Sequence, residues 1–229
     1  MSHEQLKSKT RVCEFLIENF SVFWYHKLQY IRIFLRSRNM KTIALVAENG
    51  AGKGLFVETI KKLLPRYRIV SVRFSDVLCD ILNTLGKERS RDNIDVLVTA
   101  LRTAFNDEGI LNDAMRKRLA DTQADIVILD GLRKEKEVEV VHERLGILVY
   151  IAADQRVRFE RRRQVAEKPD ELNMSWEQFA VQANAAPQIA IRSIGETLAD
   201  VTIENNGSAQ DFERKIQEFI ETYHLGETS

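Results

Sequence analysis

Apolar residues along this 229-residue chain fall into two rhythms. Short runs at 42–47, 69–74, 125–130, 147–152 and 200–204 are rich in β-branched side chains, and those at Ile126–Leu129 and Ile147–Ile151 are unbroken rather than alternating. Unbroken runs suit strands of a parallel sheet, which are covered on both faces and meet no water. Between the runs the spacing lengthens to the helical repeat. Leu55, Phe56, Val57, Ile60, Leu63 and Leu64 form one stripe, and Val77, Leu78, Ile81, Leu82 and Leu85 form a second that Gly86 ends. Phe212, Ile216, Phe219, Ile220 and Tyr223 form a third, opened by Ser208 and Asp211 in capping-box spacing. Strands that alternate with helices predict an α/β fold, a doubly wound parallel sheet of about five strands.

The first 39 residues break this rhythm. Phe15, Phe20, Phe23, Trp24, Tyr25, Tyr30 and Phe34 crowd together there, interleaved with Lys27, Arg32, Arg36 and Arg38. Two helices are expected, parted near Ser21, whose hydroxyl can cap the second. The predicted organisation is a helical N-terminal extension at 1–39 and one α/β domain at 40–225. The extension is read as a packing element and candidate homodimer contact; a membrane-surface helix or a dispensable segment ahead of Met40 are the alternatives.

Composition narrows the choice of partners. Lys+Arg and Asp+Glu balance at 34 each, so no net field draws the chain to nucleic acid. No stretch approaches the ~20 apolar residues of a membrane span. The first twenty residues carry Glu4 and Glu14 and lack the apolar run of a secretory leader. Cys13 and Cys79 make no disulfide framework, and a cytoplasmic location is expected. His3, His26, His142 and His224 are scattered without metal-ligand spacing.

The sharpest chemical signal is Ala47-Glu48-Asn49-Gly50-Ala51-Gly52-Lys53-Gly54, between a predicted strand and a predicted helix. That is the context of a P-loop. Glycines let successive N–H groups converge on phosphate oxygens, the helix N-terminus adds its positive end, and Lys53 reaches the β- and γ-phosphates. Asn49, Gly50, Ala51, Gly52, Lys53, Gly54 and Leu55 are thus the candidate nucleotide contacts. Ala47 replaces the first glycine of the pattern, and Gly54 replaces its Ser/Thr ligand for Mg²⁺. The metal is then left to phosphates, water and a carboxylate.

That carboxylate is predicted to be Asp130, at the end of the run Ile126–Leu129. Ligands of doubly wound sheets gather at the carboxyl ends of strands, so Asp130 faces the loop and organises Mg²⁺ through water. Arg133, three residues on, can grip an acceptor phosphate with a bidentate fork. Ser75 and Asp76 follow the second strand into the same crevice, and Ser75 is also a candidate helix cap. Arg91 and Arg102 lie in the helical insertion expected at 75–122. Arg156, Arg158, Arg161, Arg162 and Arg163 crowd one helix ahead of a polar stretch, which suits a lid at 163–176 that closes over transferring phosphates. Each of these arginines can equally be a solvated charge paired with Glu160 or Glu167.

Together these residues resemble the P-loop nucleoside monophosphate kinase superfamily. Gly50-Ala51-Gly52-Lys53-Gly54 is similar to the loop of adenylate kinases, and Asp130-Gly131-Leu132-Arg133 is similar to their Asp-Gly-Phe-Pro-Arg segment without its proline. Phe74-Ser75-Asp76-Val77-Leu78 with Val157-Arg158-Phe159-Glu160-Arg161 resembles deoxynucleoside monophosphate kinase-like proteins. Ala199 to Ser208 resembles the ending of dephospho-CoA kinases, which implies that Asn205, Asn206 and Gly207 lie near the donor adenine. The resemblance implies ATP as donor, Mg²⁺ as cofactor, a small nucleotide acceptor, and Lys53, Asp130, Arg133, Arg161 and Asp76 as catalytic residues. It also leaves a dephospho-CoA kinase-like enzyme open, in which Asp76 deprotonates a sugar hydroxyl. A nucleotide-binding regulatory protein without turnover is the reading from another class.

Overall fold

The computed structural model describes residues 40–165 and 174–227. The expected helical pair at 1–39, and the middle of the expected lid at 166–173, lie outside them. Five strands form one sheet: β1 (Lys41–Ala47), β2 (Ile69–Arg73), β3 (Ile126–Asp130), β4 (Ile147–Ala152) and β5 (Val201–Glu204). Their order is β2-β3-β1-β4-β5 and every pairing is parallel. The predicted strands are therefore found, three of them a residue shorter; at the second, Phe74 leaves the strand and opens a helix.

Helices fill both faces. Between strands run α1 (Lys53–Leu63), α2 (Phe74–Thr84), α3 (Arg91–Phe105), α4 (Leu111–Asp121) and the short α5 (Glu139–His142), the last preceded by a 3₁₀ turn at Glu135–Val138. After β4 come α6 (Gln155–Val165), α7 (Trp176–Ala183) and α8 (Ala186–Leu198); α9 (Ala209–Thr222) follows β5. On one face, Ile43, Leu45, Ile128, Val149 and Ile151 pack against Phe56 and Ile60 of α1 and Phe212, Ile216 and Phe219 of α9. The intervening residues Ala44, Val46, Val127, Leu129 and Leu148 are buried on the opposite face, where α8 crosses β1 and β4. The middles of the central strands, 43–47, 126–129 and 147–152, are thus hydrophobic at every position, the pattern the sequence displays.

Caps fix the ends that matter. Ser208 accepts from the Asp211 amide and Asp211 returns a bond to the Ser208 amide, the reciprocal box expected for α9. Ser75 does not cap α2. The cap is built one turn earlier, where Asp76 Oδ2 accepts from the Arg73 amide at 2.9 Å. The helix starts early because Phe74, 2% exposed, enters the core as its first residue.

On the α8 face the close approach is at Gly195. A Cβ there would meet ring carbons of Tyr150 at 2.4–2.7 Å. Gly195→Ala is expected to destabilise the domain by about 1–3 kcal/mol through overpacking, read as a lowered urea midpoint at unchanged slope. Wild-type stability in that variant would mean that α8 rests on β4 less tightly than described.

Candidate active site

The curl between β1 and α1 is shaped by two left-handed glycines. Gly50 has φ +83° and Gly52, the residue capping α1, has φ +109°. Each also lies against another element. A Cβ on Gly50 would sit 2.7 Å from the Arg158 carbonyl oxygen, and one on Gly52 would sit 2.4 Å from Asn205 Nδ2. Only glycine meets both demands. Among the described residues, the amides of Gly50, Gly52, Lys53 and Gly54 donate to no protein acceptor. They cluster at the positive end of α1, an arrangement that receives an anion.

Side chains from distant elements hold the curl. Asn205 Nδ2 donates to the Ala51 carbonyl at 2.8 Å, and Gln188 Oε1 accepts from the Asn49 amide at 3.0 Å. Glu48 is buried and carries the densest contacts. Its Oε1 lies 3.0 Å from Arg158 Nη2 and 2.7 Å from Arg192 Nη2, and its Oε2 accepts from Tyr150 Oη at 3.2 Å. Arg158 also donates to the carbonyls of Ala153 and Asn49. Burial, with Glu48 beside it, pushes the Tyr150 phenol from 10.0 up to about 12.

A cavity of about 570 Å³ opens over the curl, lined by Glu48, Asn49, Gly50, Gly52, Lys53, Gly54, Leu55, Arg161, Arg162 and Asn205. Arg161 Nη1 donates to the Asn205 carbonyl at 2.7 Å, and Nη2 to Asn205 Oδ1 at 3.1 Å. Asn206 Oδ1 accepts from the Asp154 amide at 2.7 Å. Asn205 is thus a brace for the loop, with Arg161 gripping it. Asn206 and Gly207 follow on the same turn but do not line the cavity.

Asp130 lies beside Lys53 of the curl. Lys53 Nζ is 3.0 Å from Asp130 Oδ1, and Arg73 Nε is 3.6 Å from Oδ2. Oδ1 is buried and receives no aligned hydrogen bond, so its charge is neutralised while its lone pairs stay unsaturated. Among the described residues no three acidic, histidine or cysteine side chains converge to cage a metal. The donor set therefore fits a Mg²⁺ held mostly by phosphates and water, with Asp130 as its outer carboxylate.

A second cavity, about 490 Å³, is lined by Gly131 and Arg133, just after Asp130 in the chain. Ser75, Arg91, Arg102 and Arg133 all line it, together with apolar Phe74, Leu78, Val98 and Pro187. Asp76 does not; its carboxylate is spent on the helix cap. Arg102 is braced by Glu137, which is 2% exposed and also accepts from the amides of Arg133 and Lys134. Burial pushes the Glu137 carboxyl up, against those donors. The structure therefore gathers four of the five predicted acceptor residues. Sequence reasoning missed Glu48, Gln188, Arg192, Arg73 and Glu137, whose partners lie too far along the chain for any local pattern, save that Glu137 also accepts from amides three and four residues before it.

A parallel sheet in this order, with a Gly-x-Gly-Lys curl after its central strand and an acid ending the neighbouring strand, has the arrangement of an α/β P-loop fold. No protein-family profile matches the chain. In sequence it is similar to UPF0200 proteins of archaea. It is 26% identical to one from Methanosarcina barkeri over 80% of this chain and 96% of that one. It is 25% identical to one from Thermococcus gammatolerans over 75% and 90%. A UPF0200/UPF0201 protein of Archaeoglobus fulgidus is 29% identical over 79% of this chain but only 55% of its own length. Solved structures with a similar course include a shikimate kinase from Bacteroides thetaiotaomicron, 18% identical, covering 81% and 99% of the two chains at TM-score 0.49. A gluconokinase from Sinorhizobium meliloti is 14% identical, covering 83% and 99% at TM-score 0.47. Likeness of this degree says nothing of what this chain binds.

Two outcomes follow from the buried network. Glu48→Ala strands two guanidiniums beneath the loop and is expected to cost about 3–5 kcal/mol, the usual penalty for a broken buried pair, measured by chemical denaturation. Tyr150 holds its proton longer folded than unfolded, so its contribution is complete below pH 10 and fades as pH rises toward 12. Wild type should lose stability across that window more steeply than Tyr150→Phe; parallel curves would remove the phenol from the network.

Proposed function

We propose that the chain transfers the γ-phosphoryl group of ATP to the phosphate of a nucleoside or deoxynucleoside monophosphate. The observation that carries this reading is a pair of cavities tied through Asp130: its partner Lys53 lines the one over the curl, and Gly131 and Arg133, which follow it in the chain, line the other. One is built of backbone amides, Lys53 and the arginines of α6. The other combines cationic side chains with apolar walls, the mixture that suits a ligand with a phosphate at one end and a flat base at the other.

The attacking atom is an oxygen of the acceptor phosphate. It bonds to the γ-phosphorus as the bond to the β–γ bridging oxygen breaks, and ADP departs. A phosphomonoester loses its second proton near pKa ~6, so no protein base is required. Lys53 steers the donor tail, Arg133 and Arg91 the acceptor, and Arg161 the purine-side turn at Asn205. Mg²⁺, held through Asp130, supplies further neutralisation of the phosphate charge. Transfer of this kind rests on positioning and charge, which these residues provide.

The position of Asp76 favours a phosphate over a hydroxyl acceptor. As the base of a dephospho-CoA kinase-like enzyme it would have to leave its cap on α2. The acids that do line the acceptor cavity, Asp95 and Glu137, face Arg133 and Arg102. The same cavities would serve a regulatory nucleotide sensor only if the acceptor side stayed idle.

A panel of mononucleotides and dephospho-CoA, assayed for ADP release with ATP and Mg²⁺, tests the reading. Monophosphate-stimulated turnover is expected, reduced at least roughly 10²-fold in Lys53→Ala. Asp76→Asn is expected to leave the rate within a few-fold; a loss of roughly 10²–10⁴-fold would instead identify it as a general base and the acceptor as a hydroxyl. ATP binding without stimulated turnover by any acceptor would leave only the regulatory reading.

A further inference from the structure

Arg73 pairs with Asp130, the carboxylate that also holds Lys53, and neither the P-loop nor the acceptor-side arginines account for it. It is the last residue of β2 and the register partner of Asp130 on β3, so the two side chains emerge together at the carboxyl end of the sheet. The next residues after each, Phe74 and Ser75 on one strand and Gly131 and Arg133 on the other, line the acceptor cavity. The guanidinium itself sits 3.6 Å from Asp130 Oδ2, across that carboxylate from Lys53. Asp130 thus carries a cation on each oxygen, one from the loop helix and one from the end of β2. The Arg73 side chain is 62% exposed, against 32% for Lys53 and 16% for Asp130. At 3.6 Å its hold on Asp130 is loose.

We propose that Arg73 is a catalytic residue: its guanidinium moves from Asp130 onto the transferring phosphoryl group and stabilises the charge there as the bond to ADP loosens. The assignment rests on the phosphotransfer reading above. Electrostatics supplies the reason for the exchange. When Lys53 turns to the donor phosphates, Asp130 is left to the hydrated metal, and the phosphoryl oxygens become the stronger pole for a guanidinium that is nearby, planar and always charged. A lysine at this position could still neutralise Asp130 as a point charge but could not fork across two phosphoryl oxygens.

The experiment compares wild type, Arg73→Ala and Arg73→Lys in two measurements. In steady-state assays with ATP and the best monophosphate of the panel, Arg73→Ala is expected to lower kcat roughly 10²–10³-fold, with the KM for ATP changed by less than about threefold. Arg73→Lys should stay depressed, and free guanidinium should restore part of the alanine variant's rate. In calorimetry, Arg73→Ala should bind ADP as the wild type does, yet lose affinity for ADP with aluminium fluoride and acceptor, which mimics the phosphoryl group in flight. Recovery of the full rate in Arg73→Lys would overturn the proposal and make Arg73 a positioning partner of Asp130. Wild-type behaviour of Arg73→Ala in both measurements would overturn it outright. Absence of transfer by the wild type to any monophosphate would remove the phosphotransfer reading and this inference together.

Discussion

A carboxylate buried beneath the loop meant for phosphate governs the rest of this structure. Glu48 belongs to the curl itself, and an acid there repels the anion the curl would receive. Its burial is tolerable because two guanidiniums and a phenol close on it from β4, α6 and α8. Three charges in contact, one negative and two positive, leave the ground beneath the loop net positive. The network also fixes geometry. Arg158 reaches Glu48 from the same helix that carries Arg161 and Arg162 to the cavity wall, and Arg192 reaches it from the helix whose first turns line the acceptor side. The loop, the arginine helix and the acceptor wall are therefore coupled through one buried anion. Such networks stay ordered only when every member is satisfied.

The second organising point is Asp130. Its two oxygens face different cations, and the residues that follow it in the chain line the second cavity. Such a carboxylate at a strand end is a poor contributor to stability, since partly exposed pairs are worth little. Its value lies in being exchangeable. Under the proposed function, Lys53 and Arg73 could each leave it for a phosphate without stranding it, since the other cation would stay beside it.

Much of this was legible beforehand, for reasons that differ by element. The strands announced themselves because burial on both faces removes polar residues from every position, and Ile126–Leu129 and Ile147–Ile151 have none. The cap of α9 was legible because Ser208 and Asp211 are three residues apart and need no distant partner. The phosphate loop and Asp130 could be read because each lies beside a strand end. The start of α2 was misplaced, since an apolar Phe74 fits the end of a strand as well as the first turn of a helix. Glu48 was passed over because its partners lie 102, 110 and 144 residues away, and a charged residue in a glycine-rich loop reads as solvated. The brace from the Asn205 side chain to the loop carbonyl of Ala51 spans 154 residues and was equally out of reach. For these two residues, a contact remote in sequence gave a polar side chain its role.

The turn after β3 shows how little chain is needed to assemble the acceptor side. Gly131 takes φ +85° with open space around its α-carbon, so the backbone conformation, not crowding, selects glycine there. That one left-handed residue separates two side chains of opposite fate. Leu132 turns inward and is 2% exposed, while Arg133 turns outward to the cavity with its amide tied to Glu137 at 2.7 Å. Glu137 in turn braces Arg102 from α3. An aspartate paired with the loop lysine, a glycine that reverses the chain, a leucine that anchors it and an arginine that lines the second cavity thus occupy four consecutive positions. If the proposed function holds, covalent geometry at this turn sets the spacing between the donor-side carboxylate and the acceptor-side guanidinium.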